Sequence, residues 1–298
     1  MTIKQIITKL QNTFTEAEID SGALEAQLLI AHVLQKNREF LLSYSELSLN
    51  GAQLRHLNKL VEQRLAGQPL AYLINSKSFY NLDFFVNNQV LIPRPETELI
   101  VDKVIQDFNN SAQAPSALVD VGCGSGCLII SLANELRNRL DHYWAIDLSQ
   151  SALAVAKKNA TGLIPDLSID FIKGNLITPL LKSKSQSQTL KNLNHLIIVA
   201  NLPYLNQDWA SNLSQRQILE LQQEPASALF AGADGFDLYR QLAQQLHQLK
   251  ADQPHLRISL YTEIAPELAN LFSQTFASLG ATNLERDFSG KIRYGIVR

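Results

Sequence analysis

The sequence predicts an α/β protein in two parts, a small all-α helical bundle followed by a seven-stranded, mainly parallel α/β domain. Three observations carry this. Apolar residues recur at helical spacing over residues 1 to about 68. From about Pro93 onward, short apolar runs alternate with helical patterns. A glycine-rich turn then follows the first of those runs, where a strand hands over to a helix.

In the first part, Ile3, Ile6, Ile7 and Leu10 mark one helical stripe, and Leu24, Leu28, Ala31 and Leu34 a second. Leu54, Leu57, Leu60, Val61 and Leu65 mark a later one, which Gly67-Gln68-Pro69 stops. Helices this short must pack on one another, so residues 1–75 are expected to form the bundle. Residues 76–92 change period. Phe79, Tyr80, Phe84, Phe85, Val86, Val90 and Leu91 read as a connecting hairpin that turns at Asn87-Asn88. Residues 93–298 form the α/β domain, with strands expected at 117–121, 143–146, 169–172, 196–200 and 256–261. Their apolar continuity fits strands buried on both faces. The end, 283–288 and 292–297 around Ser289-Gly290-Lys291, reads as an antiparallel hairpin, making seven strands. The polar run 182–194 reads as a flexible loop insertion without chemistry.

Bulk properties narrow the function. Of the 298 residues, 46% are hydrophobic and 18% charged, and the net charge is −2. With no block of Lys/Arg, that balance gives no general attraction to nucleic acid. No apolar run is long enough for a bilayer. The first residues lack an apolar leader core, and Glu16, Glu18 and Asp20 follow soon after, so a cytoplasmic protein is expected. Cys123 and Cys127 are the only cysteines, too few for a disulfide framework or a zinc site of their own. They read as small packing residues.

The chemistry lies at the strand ends. Val119-Asp120-Val121-Gly122-Cys123-Gly124-Ser125-Gly126 precedes an apolar helix. A strand ending in Gly-x-Gly-x-Gly turns sharply and lets the backbone approach a ligand closely. The dinucleotide fingerprint is Gly-x-Gly-x-x-Gly, so this spacing leans toward S-adenosylmethionine. Asp147 closes the next strand, where an acid can accept from both ribose hydroxyls; the plainer reading is a cap for the following helix. After the third strand come Asn175 and Leu176, placed to meet an adenine ring, or else an ordinary loop. Asn201-Leu202-Pro203-Tyr204 directly follows the fourth strand and faces the same crevice. An Asn side-chain oxygen and a neighbouring carbonyl can together accept both hydrogens of an NH2 group, while Tyr204 offers an aromatic wall.

That tetrapeptide resembles the Asn-Pro-Pro-Tyr motif of enzymes that methylate amines and amides. Leu91-Ile92-Pro93-Arg94-Pro95-Glu96-Thr97-Glu98 is similar to the hallmark of the PrmC/HemK family of release factor glutamine-N(5) methyltransferases. Further matches are Pro69-Leu70-Ala71-Tyr72-Leu73, Glu224-Pro225, Asp234-Gly235 and 286–293. The resemblance spans essentially the whole chain.

It implies a Rossmann-like methyltransferase domain that uses S-adenosylmethionine without a metal. The acceptor would be the Gly-Gly-Gln glutamine of class I peptide chain release factors, recognised in part by the helical bundle. A monomer is expected, and the charge and hydropathy above give it no direct nucleic-acid or membrane partner. Asn201, Leu202, Pro203 and Tyr204 would serve catalysis and substrate binding. Gly122, Cys123, Gly124, Ser125, Gly126, Asp147, Asn175, Leu176, Asn201, Thr97 and Glu98 would hold the cofactor.

The chain departs from the family in having Leu202 at the first proline position, where a backbone carbonyl is the expected contribution. Asn175 and Leu176 depart too, from the usual Asp and aromatic residue. A ribosomal-protein glutamine methyltransferase would share the tetrapeptide. So would a DNA adenine-N6 methyltransferase, which would also need a basic groove-reading module.

Overall fold

The computed structural model describes residues 1–110, 116–137, 139–206, 208–211 and 213–298. They fall into two compact units, Met1–Ser76 with Ala210–Glu224, and Lys77–Trp209 with Pro225–Arg298.

Caps and apolar stripes set the helices of the first unit. Thr2 caps Ile3–Glu16 and Asn50 caps Gly51–Leu65, each in a reciprocal capping box with the glutamine three residues on. Ile3, Ile6, Leu10 and Phe14 bury one face of the first of these, and Leu57, Leu60 and Val61 bury one face of the second. Helices Gly22–Leu34, Arg38–Ser43 and Leu70–Ile74 complete the same core.

Ala210–Glu224 joins this unit through charge. Arg64 is 3% exposed, and its Nε lies 2.5 Å from the Glu25 carboxylate. Its Nη1 donates to Glu220 at 2.7 Å, on helix Gln215–Leu221. Arg216 also pairs with Glu220 at 2.8 Å and donates to the Leu65 carbonyl. The expected domain limits do not show this, because the partners are 156 residues apart.

The second unit is built on two sheets. Strands β1 (Lys77–Phe79) and β2 (Leu82–Phe84) form a short antiparallel hairpin. Its turn is Tyr80-Asn81, not Asn87-Asn88. Both turn residues have positive φ, as a two-residue turn matching the strand twist requires. The hairpin belongs to this unit rather than standing as a connector. Phe79 and Phe84 are buried, Glu98 accepts from the Tyr80 N–H, and Asn159 exchanges hydrogen bonds with Phe85.

The large sheet contains β3 (Ser116–Val121), β4 (His142–Asp147), β5 (Asp170–Lys173), β6 (His195–Ala200), β7 (Arg257–Glu263), β8 (Thr282–Arg286) and β9 (Ile292–Val297). Their order is β5-β4-β3-β6-β7-β9-β8. β3 through β7 run parallel, and β9 pairs antiparallel with β7 and β8. The seven strands match the expected number and placement.

Residues 182–194 are not a plain loop. Thr178–Lys182 and Lys184–Lys191 are helical, and Leu180, Leu190 and Leu193 are buried in the sheet core. Leu190 and Leu193 suffice to anchor the run 182–194, whose other residues are polar. Among the described residues no helix is long and apolar enough to cross a membrane.

Arg64→Ala should destabilise the protein by about 3–5 kcal/mol, because it strands the Glu25 carboxylate in an apolar core. Urea unfolding of the whole chain, followed by circular dichroism, measures this.

Candidate functional site: a crevice at the carboxyl ends of the strands

Strand order reverses between β3 and β6, so their carboxyl ends diverge and leave a crevice. Such a switch point is where open α/β sheets bind ligands. A cavity of about 380 Å³ lies there. Its lining includes Thr97, Gly122, Cys123, Gly124, Ser125, Asp147, Asn175, Leu176, Asn201, Leu202 and Pro203. Eleven of the fourteen residues expected from sequence thus converge on one space.

The other three do different work. Gly126 caps helix Cys127–Glu135 at φ 80°, and a Cβ there would meet Ile130 Cδ1 at 2.9 Å and Ala156 Cβ at 3.1 Å. Glu98 turns to the Tyr80 amide instead of the cavity. Tyr204 is half-buried behind the lining, its hydroxyl donating to Glu263 Oε1 at 3.0 Å.

The glycine loop is held from several sides. The Gly122 and Cys123 amides donate to the Ile146 carbonyl at 2.8 and 3.0 Å. Asn159, itself buried, donates to the Ser125 carbonyl at 2.8 Å. Asp147 accepts from the Gly124 amide at 2.9 Å and the Ser149 amide at 2.8 Å. Ser149, not Asp147, caps helix Gln150–Leu163. Each carboxylate oxygen of Asp147 keeps a free lone pair for further donors such as ribose hydroxyls. Burial pushes its carboxyl above the ordinary range, against the pull of those amides. Burial also raises both cysteine thiols, Cys127 to about 12, so they stay protonated and act as packing.

Asn175 donates to Gln241 at 3.4 Å at the rim. Leu176 holds a left-handed conformation at φ 52° with its side chain in the sheet core. Leu202 is 3% exposed and packs over Gly122, so its side chain fills space as well as supplying a carbonyl. Gly235 secures the same loop. At φ 77° its Cα approaches so closely that a Cβ would lie 2.3 Å from the Tyr204 carbonyl oxygen.

Asn201 is fixed by its amide nitrogen, which donates to Thr97 Oγ1 at 3.0 Å and Glu263 Oε2 at 3.1 Å. Tyr239 donates to the Glu263 carbonyl at 2.5 Å and lies 3.5 Å from the Leu202 carbonyl.

Two acids escaped the sequence reading. Glu263 closes β7 and is 2% exposed. Asp120, within β3, is 1% exposed and lines the cavity. Asp120 Oδ2 accepts from the Ile129 amide at 3.2 Å, and Oδ1 is buried without a partner among the described residues. The available signal was a carboxylate inside or closing an otherwise apolar strand, a position acids rarely take without a reason.

Comparison with known proteins fits this geometry. A family model described as the PrmC N-terminal domain matches residues 5–74, and one described as a methyltransferase domain matches 118–215. The release factor glutamine methyltransferase of Dictyoglomus turgidum is 32% identical over 98% of this chain and 96% of its own length. The chain belongs to the release factor glutamine methyltransferase family.

The bifunctional methyltransferase of Rickettsia felis is 31% identical over 98% of this chain, which spans only 57% of that longer protein. Among solved structures, the hMettl16 catalytic domain aligns with TM-score 0.54 over 90% of this chain and 89% of its own, at 17% identity, a likeness of fold. In this family member, the N-terminal match covers the helices from Ile3–Glu16 to Leu70–Ile74, and the second match starts within β3.

Asp120 generates a pH prediction. Burial, the largest cause, and the nearby Asp147 charge raise its carboxyl to about 7 from 3.8, against the Ile129 amide. A raised folded value means the native state binds the extra proton. The stability this group contributes is therefore full below about pH 4 and is lost as pH rises through about 7. Asp120→Asn should relieve this, raising stability at pH 8 relative to pH 5 by on the order of 2–4 kcal/mol. Thermal melts of both proteins at the two pH values provide the check.

Proposed function

We propose that the protein transfers a methyl group from S-adenosylmethionine to the side-chain amide nitrogen of the Gly-Gly-Gln glutamine in class I release factors. The carrying observation is the Asn201 side chain. With its Nδ2 occupied by Thr97 and Glu263, its Oδ1 remains an acceptor without a partner among the described residues, on a residue that lines the cavity.

The cavity suits the cofactor in charge and shape. S-adenosylmethionine carries an electrophilic methyl on a sulfonium and a cationic amino-acid end. The orphaned Asp120 Oδ1 is an acceptor suited to positive charge. Asp147 suits a diol, and Leu176 and Leu202 supply apolar walls.

The rest of the reaction falls to this chain's own residues. An amide nitrogen is a weak nucleophile because its lone pair is delocalised into the carbonyl. Asn201 Oδ1 and the Leu202 carbonyl can accept its two hydrogens and fix it in line for transfer. Tyr239 directs its one hydroxyl hydrogen to the nearer Glu263 carbonyl, which leaves the Leu202 oxygen available. Positioning of this kind can supply ~7–11 kcal/mol of the barrier. The same two oxygens stabilise positive charge developing on nitrogen. No general base is needed before transfer, since the methylated nitrogen is acidic enough to lose its proton afterwards.

The family's naming supports the acceptor, and labelled methyl transfer into purified release factor tests it. Label should enter the native factor and be absent from one lacking the Gly-Gly-Gln glutamine; equal labelling of both would overturn the assignment. Asn201→Ala should lower turnover at least about 100-fold, as for one transition-state hydrogen bond in a preorganised site. Cofactor affinity should change less than about threefold. Single-turnover kinetics and titration calorimetry separate the two.

A further inference from the structure

The Asn201 amide can face either way by rotating half a turn, and only one orientation offers an acceptor to the substrate. What decides between them lies behind the site. Glu263, at the end of β7, is buried, and three donors converge on its two oxygens. Thr97 Oγ1 donates to Oε2 at 2.6 Å, Asn201 Nδ2 to Oε2 at 3.1 Å, and Tyr204 Oη to Oε1 at 3.0 Å.

The chemistry is one-directional. An ionised carboxylate has lone pairs and no hydrogen, so it can face Nδ2 and would repel Oδ1. Thr97 gives its only hydroxyl hydrogen to Glu263, so toward Asn201 it too can only accept. Both neighbours therefore demand the Asn201 NH2. Burial pushes the Glu263 carboxyl above its ordinary range, and the Thr97 and Tyr204 hydroxyls and the nearby Arg293 pull toward the ionised form.

We propose that Glu263 is a positioning residue for methyl transfer. Through Thr97 it holds the Asn201 amide with Oδ1 toward the cavity, and it ties Tyr204 to the same frame. This rests on the glutamine-methylating reading above, in which Asn201 Oδ1 clamps the acceptor amide. Glu263 touches neither cofactor nor substrate, so its effect should appear in kcat and not in cofactor affinity.

Glu263→Gln tests it, because the isostere brings its own NH2 and no longer enforces one orientation. Turnover should fall at least about tenfold, with calorimetric S-adenosylmethionine affinity within about threefold of native. Thr97→Val should act in the same direction, and Thr97→Ser, which keeps the hydroxyl, should lose less turnover than Thr97→Val.

The decisive measurement is a double-mutant cycle. If Glu263 works through Asn201, then Glu263→Gln should add little to Asn201→Ala in single-turnover transfer. A full, multiplicative loss in that background, or native turnover in Glu263→Gln, would overturn the proposal. Should Glu263→Gln fail to fold, the cycle of Thr97→Val with Asn201→Ala decides by the same criterion.

A substrate-free measurement separates this inference from the reading beneath it. With asparagine labelled with nitrogen-15, the Asn201 side-chain NH2 should be protected from exchange in the native protein and exposed in Glu263→Gln or Thr97→Val. A native protein that methylates no release factor but shows that protection loses the reading and keeps the Glu263 frame. An Asn201 signal unchanged by both variants removes the frame.

Discussion

β3 is the element on which the site depends. It pairs in parallel with β4 on one side and β6 on the other, and all six of its residues are buried. A strand so enclosed can leave the sheet only at its end. Its two neighbours lie on opposite sides, so their following chains part there and leave the crevice open. The glycine loop is the local answer to that constraint. Gly122, Gly124 and Gly126 all take positive φ, which turns the chain over the crevice floor and directly into a helix. Remove the central position of β3, and neither the crevice nor the reason for the glycines remains.

Around that crevice three buried or half-buried carboxylates differ in the partners they are given. Asp147 is met by two backbone amides and holds the loop in shape. Glu263 is met by two hydroxyls and an amide side chain, with both of its oxygens engaged. Asp120 keeps one oxygen unmatched at the cavity wall. Burying a polar atom without a partner carries a penalty of a few kcal/mol by typical measures. A cationic ligand removes that penalty, so the free protein holds in reserve part of the energy that binding releases. The apolar surroundings of Leu176 and Leu202 keep the local dielectric low, which strengthens each of these interactions.

Much of this was legible in the sequence because it is local. The helical stripes, the strand runs, the glycine loop and Asn201–Tyr204 are each written within a few consecutive residues, and the structure places eleven expected residues around one cavity. What was illegible is what depends on distant partners. Glu263 meets Thr97 across 166 residues of chain, and nothing near either residue announces the other. Asn87-Asn88 has the better turn composition, whereas the actual hairpin turn, Tyr80-Asn81, is selected by Glu98 and by burial of Phe79 and Phe84. Residues 182–194 looked structureless because two leucines carry their packing, too few to show a period. Glu98 stands in a motif that implies cofactor binding, although its carboxylate serves the hairpin.

The route of the chain through the two units also bears on how the protein is made. The helices of Met1–Ser76 leave the ribosome first, yet Glu220, which shares the Arg64 guanidinium with Glu25, is synthesised 156 residues later. In between, the ribosome produces β3, β4, β5 and β6, all of which pair in parallel and need long-range contacts to form. The first unit therefore cannot finish folding until Ala210–Glu224 has been made, after most of the large sheet's parallel strands. An early helical bundle must wait, with Arg64 half-paired, until the nascent chain has passed the Asn201 loop. Completion of the bundle and delivery of the Asn201 loop fall within the same short stretch of translation.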